Sequence, residues 1–255
     1  MRTENKNRFE DFFAARRYAT LKNLLYNYRI RRALVRKILD ENGKCKGPVL
    51  EVGSGISPLL VSDAGTIQSD LSLNAMTMLK SANPAVKTVV ADVTDLPFKS
   101  GIFQFVICSE VIEHVERDEL ALKEIGRVLE KNGKLILTFP HREKFFGIDD
   151  RYVKHFRRYE LDTILGMLSC ASLRALKIRK VLGPCEKVTM SAVVFCIQAA
   201  ELFGKSGFST KKALSPLFIG IFDVLNVLYA FLMRLDAMIW PRSFSSVLLV
   251  ETVKD

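Results

Sequence analysis

Gly53-Ser54-Gly55, Asp70, Asp92, the pair Ser109-Glu110 and His114 are the residues whose types and spacing could do chemistry. Two glycines two apart let the backbone turn sharply and approach a ligand with no Cβ in the way. Asp70 follows Gly53 by 17 residues. An acid at that remove, at the tip of a second strand, is placed to accept hydrogen bonds from both hydroxyls of a ribose. His114 is a candidate proton acceptor, because an unperturbed imidazole titrates near about 6.5.

These residues need elements to hold them. Val49-Leu50 leads into the glycines as a buried strand, and Ser57-Pro58-Leu59-Leu60 reads as a helix start behind them. Free N–H groups and the dipole at such a start favour a negative ligand group. A second strand ends at Gln68-Ser69-Asp70, a third, Thr88–Ala91, runs into Asp92, and a fourth, Phe103–Cys108, runs into Ser109-Glu110. Four strands thus carry a small or acidic residue at the carboxyl end, the edge where open α/β sheets bind ligands. A dinucleotide site is disfavoured: Pro58 stands where its third glycine belongs.

Taken in order, the ExGxG of Glu51–Gly55, Asp70, DVTDLPF at Asp92–Phe98, EVIEHV at Glu110–Val115 and LEKNGKLILTFP at Leu129–Pro140 resemble the class I S-adenosylmethionine (SAM)-dependent methyltransferases. The likeness is greatest to the group that includes the ubiquinone-type methyltransferases, and it spans residues 48–163. Ser57 departs from a common third glycine and Gln104 from a common Asp. The resemblance implies an α/β fold, Rossmann-like and doubly wound, with a mostly parallel seven-stranded sheet and helices on both faces. It implies SAM as cofactor. Glu51 and the Gly53-Ser54-Gly55 turn would hold its methionine end, Asp70 with Leu71 the ribose, and Asp92 with Val93 the adenine edge. Ser109 and Glu110 would line the floor beside the methyl group, with His114 as base. Some relatives use ExxEH to hold a divalent metal. Here Glu110, Glu113 and His114 have that spacing, with His141 or His155 as a fourth ligand, but many metal-free members share the letters and no metal is expected.

The remaining elements follow from periodicity. Helices are expected over Asn74–Ser81, over Asp118–Lys131 with a stop at Asn132-Gly133, and over Glu160–Leu168. Lys134–Phe139 and Leu173–Leu182 read as the fifth and sixth strands. His141–Tyr159, ending HFRRY, is placed by resemblance over the substrate side. The last strand, Ser246–Val253, returns some sixty residues after the sixth. Between them lie two apolar stretches, Val188–Phe203 and Leu214–Trp240. The second is long enough to cross a bilayer. Lys205, Lys211 and Lys212 in the connection oppose a spanning hairpin by the positive-inside rule, as do Asp223, Arg234 and Asp236 within the second stretch. The insertion is therefore read as a pocket wall, a dimer face or an in-plane membrane contact, against the plainer reading of two extra packed helices.

At 255 residues the chain suits one large α/β domain with additions. Residues 1–47 hold 13 basic and 5 acidic side chains, so most of the net charge of +10 belongs to this segment. Residues 8–41 read as helix, with apolar patches at Phe9, Phe12 and Phe13, at Leu21, Leu24, Leu25 and Tyr28, and at Val35, Ile38 and Leu39. Arg16-Arg17 and Arg31-Arg32 fall near that stripe. They either snorkel to solvent from a packed helix or meet anionic headgroups or an anionic substrate. Cys45, Cys108, Cys170, Cys185 and Cys196 show no CxxC and read as buried reduced thiols of a cytosolic protein, and the polar opening shows no signal peptide.

The chain thus divides into a basic helical arm (1–47), a SAM-binding core (48–183), an apolar insertion (184–244) and the last core strand (245–255). The expected function is methyl transfer to a hydrophobic or lipid-linked small molecule at the cytosolic membrane surface. Nucleic acid is not expected as a partner, while a homodimer is one use of the insertion. The alternatives are an RNA methyltransferase, and a non-catalytic methyltransferase fold that binds membrane or a partner.

Overall fold

The computed structural model describes residues 23–43, 47–60, 65–202 and 215–255. Phe9, Phe12, Phe13, Arg16, Arg17, Leu21, Cys45, Lys205, Lys211 and Lys212 lie outside the described residues.

Seven strands form one sheet: β1 (Val49–Val52), β2 (Thr66–Asp70), β3 (Lys87–Val90), β4 (Phe103–Ser109), β5 (Leu129–Pro140), β6 (Leu173–Leu182) and β7 (Val247–Lys254). Their order is β3-β2-β1-β4-β5-β7-β6. Pairs from β3 to β5 are parallel, while β7 is antiparallel to both neighbours. The order reverses between β1 and β4, the switch point where such sheets hold ligands.

Seven helices are described: α1 (Tyr26–Glu41), α2 (Leu73–Ala82), α3 (Asp118–Val128), the short α4 (Ile148–Tyr152), α5 (Leu161–Cys170), α6 (Pro184–Leu202) and α7 (Pro216–Ile239). Side-chain alternation along the strands assigns them to faces. Leu50, Val52, Val106, Cys108, Leu135, Leu137, Leu248 and Val250 share a core with α3 and α5. The alternate residues Val49, Phe105, Ile107, Ile136, Val247 and Leu249 share the other core with α1 and Met233 of α7. Both faces are covered, and that is why the central strands read as near-continuous apolar runs. The fold class and the helical insertion before the last strand are therefore as expected.

Four local expectations need correction. Of the cysteines expected to be buried, Cys108 is, while Cys170, Cys185 and Cys196 are exposed. The helix over 8–41 is interrupted at Leu25, whose backbone is extended (φ −62°, ψ 139°). Tyr26 N–H turns instead to Asn226 Oδ1 at 3.1 Å, so α1 starts anew on a tether to α7. No helix follows the glycine turn among the described residues, where residues 53–60 form turns and bends. Finally α3 stops at Val128, because Leu129 pairs with Phe103 and begins β5, with Asn132 at positive φ (64°) inside that strand.

Candidate active site

A cleft of about 990 Å³ opens at the carboxyl ends of β1, β2 and β4. Its floor begins at Gly53 and Gly55, both in the left-handed region (φ 64° and 55°). A Cβ on Gly53 would lie 2.4 Å from Val111 Cγ2, so the turn needs glycine for close approach as well as for its backbone angle. Asp70 fastens this turn: Oδ2 accepts from Gly55 N–H at 2.8 Å and Oδ1 from Ser72 N–H at 2.9 Å. Asp70 itself lines the cleft. Leu71, Asp92, Val93, Ser109, Glu110 and His114 also line it.

Two expected ligand residues are turned elsewhere. Glu51 is buried, and its oxygens accept from Leu59 N–H at 2.7 Å and Leu60 N–H at 3.1 Å. It closes the turns and bends of residues 53–60, satisfying N–H groups that a helix start there would have offered to a ligand. Ser54 is also buried, and its backbone N–H donates to Ser69 O at 3.1 Å, joining the turn to β2. Neither lines the cleft.

The ExxEH letters do not form a helical face. Glu110 has φ 55° and lies outside the short 3-10 turn Ile112–His114, and its Oε1 accepts from the Thr138 hydroxyl at 3.0 Å. The chain brings Glu113 and His114 to His155 instead, with donor atoms within 4.8 Å of one another. These three could hold a divalent ion. The two imidazoles meet edge to face at 4.6 Å, and His155 Nε2 lies 3.8 Å from Glu113 Oε1. Burial, reinforced by the charge of Glu110, pushes the Glu113 carboxyl well above the usual carboxylate range, against opposing pull from Arg31 and Arg158. His141 is buried on Ser245 O and is not part of this group.

The strap from His141 to Tyr159 is anchored by Asp150, which is fully buried. Its carboxylate accepts from His155 Nδ1 (2.9 Å), Arg158 Nε (2.8 Å), Gly147 N–H (2.8 Å) and Lys187 of α6. Burial alone would raise its pKa, but hydrogen bonds from His155 and Arg158 outweigh it and hold the carboxyl well below the ordinary range.

Sequence reasoning raised Arg31 only among arginines that meet solvent, headgroups or an anionic substrate, and it missed Glu186 and Met190. Arg31 of α1 lines the cleft and donates weakly to Ser109 Oγ at 3.4 Å. Glu186 and Met190 enter from α6, ahead of and at the start of the stretch read as apolar. The linear signals were the arginines beside the apolar stripe and the polar-aromatic strap, since the other contacts join residues far apart in the chain.

A strand-end acid, a glycine turn that a Cβ would block, and a cleft at the sheet's switch point fit a nucleoside carrying a short zwitterionic tail. Fold and site together define the class I SAM-dependent methyltransferase fold. Residues 50–137 match the family model described as a methyltransferase domain. A demethylmenaquinone methyltransferase of Renibacterium salmoninarum is 33% identical over 112 residues, which is 42% of this chain and 47% of that protein. An uncharacterised protein of Methanocaldococcus jannaschii is 37% identical over 97 residues, covering 37% of this chain and 41% of the other. The matched part is thus less than half the length of either relative. Among solved structures, the magnesium protoporphyrin IX methyltransferase of Synechocystis, with bound SAM, superposes with a TM-score of 0.58 at 11% identity, over 99% of this chain and 98% of that one.

Proposed function

We propose that the protein transfers a methyl group from SAM to a hydrophobic or lipid-linked small molecule, working at the cytosolic face of a membrane. The observation that carries the acceptor class is the mixed lining of the cleft. Beside the glycine turn, Asp70 and Asp92 it is lined by the apolar Leu25 of the segment before α1, Met190 of the insertion, Val153 of the strap and Val247 of β7, and by the charged Arg31, Arg158 and Glu186. Apolar groups interleaved with polar ones suit an amphiphilic acceptor. The relative in Renibacterium salmoninarum, named for demethylmenaquinone, lends the same direction to the acceptor class.

SAM, when bound, supplies a methyl carbon already activated by its sulfonium. The chain's own task is then to align the acceptor and exclude water. Asp70 orients the ribose, and Asp92 with Val93 borders the adenine. His114, at the cleft wall, takes the proton where the acceptor loses one.

The test is to incubate the full chain with methyl-tritiated SAM and a total membrane lipid extract, and to count label in the organic phase. Label should enter lipid. His114→Ala should lower its rate by about 10²–10⁴-fold with SAM affinity unchanged, and EDTA should leave it unaffected. Label found in total RNA instead, or none in lipid from a protein that binds SAM, would overturn the reading.

A further inference from the structure

α7 is 24 residues long, so it spans about 36 Å, and by length and composition it could cross a membrane. One face along that length is bare apolar surface. Leu217 is 74% exposed at the start, Leu225 and Leu228 over half exposed in the middle, and Ile239 77% exposed at the end. Helices in soluble proteins bury such a face.

The opposite face is fastened to the body from the second turn to the last. Asp223 pairs with Arg29 of α1, and Asn226 accepts from Tyr26 N–H. Tyr229 meets the Tyr26 ring edge-on at 4.8 Å and hydrogen-bonds Thr189 of α6. Met233 sits in the core with Val181 and Leu182, and Asp236 accepts from Cys185 N–H at 3.1 Å. Gly183 packs so closely here that a Cβ would fall 2.3 Å from Asp236 Oδ2. A bilayer-spanning α7 would have to break all of these tethers or draw the sheet into hydrocarbon, where unpaired polar groups are costly.

The charges beside the face are cationic. Both acids of α7, Asp223 and Asp236, are committed to the body, while Arg234 is exposed. At the C-terminal end Lys180 Nζ donates to the carbonyls of Met238 and Trp240. Lys144 lies 5.7 Å from the Phe244 ring centre, and Phe244 is tilted against Trp240 at 5.4 Å. Tryptophan beside lysine and arginine suits the headgroup layer. A second copy offers no free α7 acid to these cations; anionic headgroups do.

We infer that α7 is an in-plane anchor, lying parallel to an anionic bilayer surface with its bare face sunk to the level of the headgroups and upper acyl chains. This rests on the membrane-surface reading above and deepens it. The helices that brace α7 also line the cleft, through Arg31 of α1 and Glu186 and Met190 of α6, which ties the docked helix to the site.

Trp240 is the single tryptophan, which makes depth measurable. Wild type should float with phosphatidylcholine vesicles containing phosphatidylglycerol, and salt should weaken this without abolishing it. The double variant Leu225→Glu, Leu228→Glu should bind at least about tenfold less while its SAM titration is unchanged. In a Trp240→Phe background, tryptophans introduced by Phe218→Trp and by Leu228→Trp should be quenched alike by lipids brominated near the headgroup. Deep quenching at position 228 with shallow quenching at 218 would mean a spanning helix and overturn the inference while leaving the membrane reading intact. Failure to float, with dimerisation seen by analytical ultracentrifugation, would assign the face to a second copy and sink both. Flotation of the double variant equal to wild type would place the contact elsewhere.

Discussion

Glu186 lines the cleft in nearly complete burial, and its Oε2 takes no hydrogen bond from a described residue. Burial first, then the charges of Glu110 and Asp149, push its pKa up to about 6 from the ordinary 4.5, with Arg158 opposing. A carboxyl with a raised folded-state pKa contributes stability that is whole below the unfolded value and is lost as pH rises through the folded one. A shift of this size corresponds to about 2 kcal/mol at most. Glu186→Gln should therefore match wild type in urea unfolding near about pH 4.5 and exceed it by up to about 2 kcal/mol above about pH 7. A variant less stable than wild type at high pH would mean that the ionised carboxylate is favourably paired. The residue scale also shows where linear reading ends. Asp70 and Asp92 were legible as acids at or just past strand ends, and His114 by its type alone, since a 3-10 turn carries it to the cleft. Glu51 was legible only as an acid near glycines, because its partners, Leu59 and Leu60, became available when the loop after β1 did not form a helix there. Arg31, His155 and Glu186 converge from three distant segments, and no spacing rule reports such an encounter.

At the scale of elements, the strap and the insertion are joined by a cluster of ion pairs. Lys187 of α6 reaches both Asp149 and Asp150, and Arg158 of the strap reaches the same two acids. Removing one charge from a buried network leaves its partners uncompensated, typically at about 3–5 kcal/mol. Asp150→Asn should cost about 3 kcal/mol in urea unfolding near neutral pH, the lower end applying because Asp149 remains beside both cations. Asp150 has a depressed pKa, so its contribution is present above the ordinary aspartate value and is lost as pH falls through the lower folded one. The penalty of the variant should shrink on acidification; a penalty constant with pH would place its origin in packing. β6 matched its sequence reading end to end, and β1, β2 and β4 could be read from apolar runs closed by small or acidic residues. The β5 boundary was misread because Leu129 continues the helical apolar spacing of α3, yet pairing with Phe103 draws it into the sheet. Tertiary hydrogen bonding outweighed local periodicity there.

Across the whole molecule, a methyltransferase sheet presents a cofactor edge at the β1/β4 switch point. Beside it, α1, α6 and α7 form a helical shoulder that is polar toward the cleft and apolar toward the outside. Composition alone pointed to that shoulder, since an apolar stretch interrupted by Asp223, Asn226, Arg234 and Asp236 is unsuited to lipid on all sides. It could not say which side was bare, because that depends on α1 pairing with α7 across nearly two hundred residues. The most direct measurement is isothermal titration of the full chain with SAM, alongside Asp70→Ala. Wild type should bind SAM at one saturable site, displaced by S-adenosylhomocysteine. The variant should bind at least about tenfold more weakly, since it loses hydrogen bonds to a charged group worth about 1.5–3 kcal/mol each. Absence of saturable binding by folded wild type, or equal affinity in the variant, would contradict the assignment of this cleft to SAM.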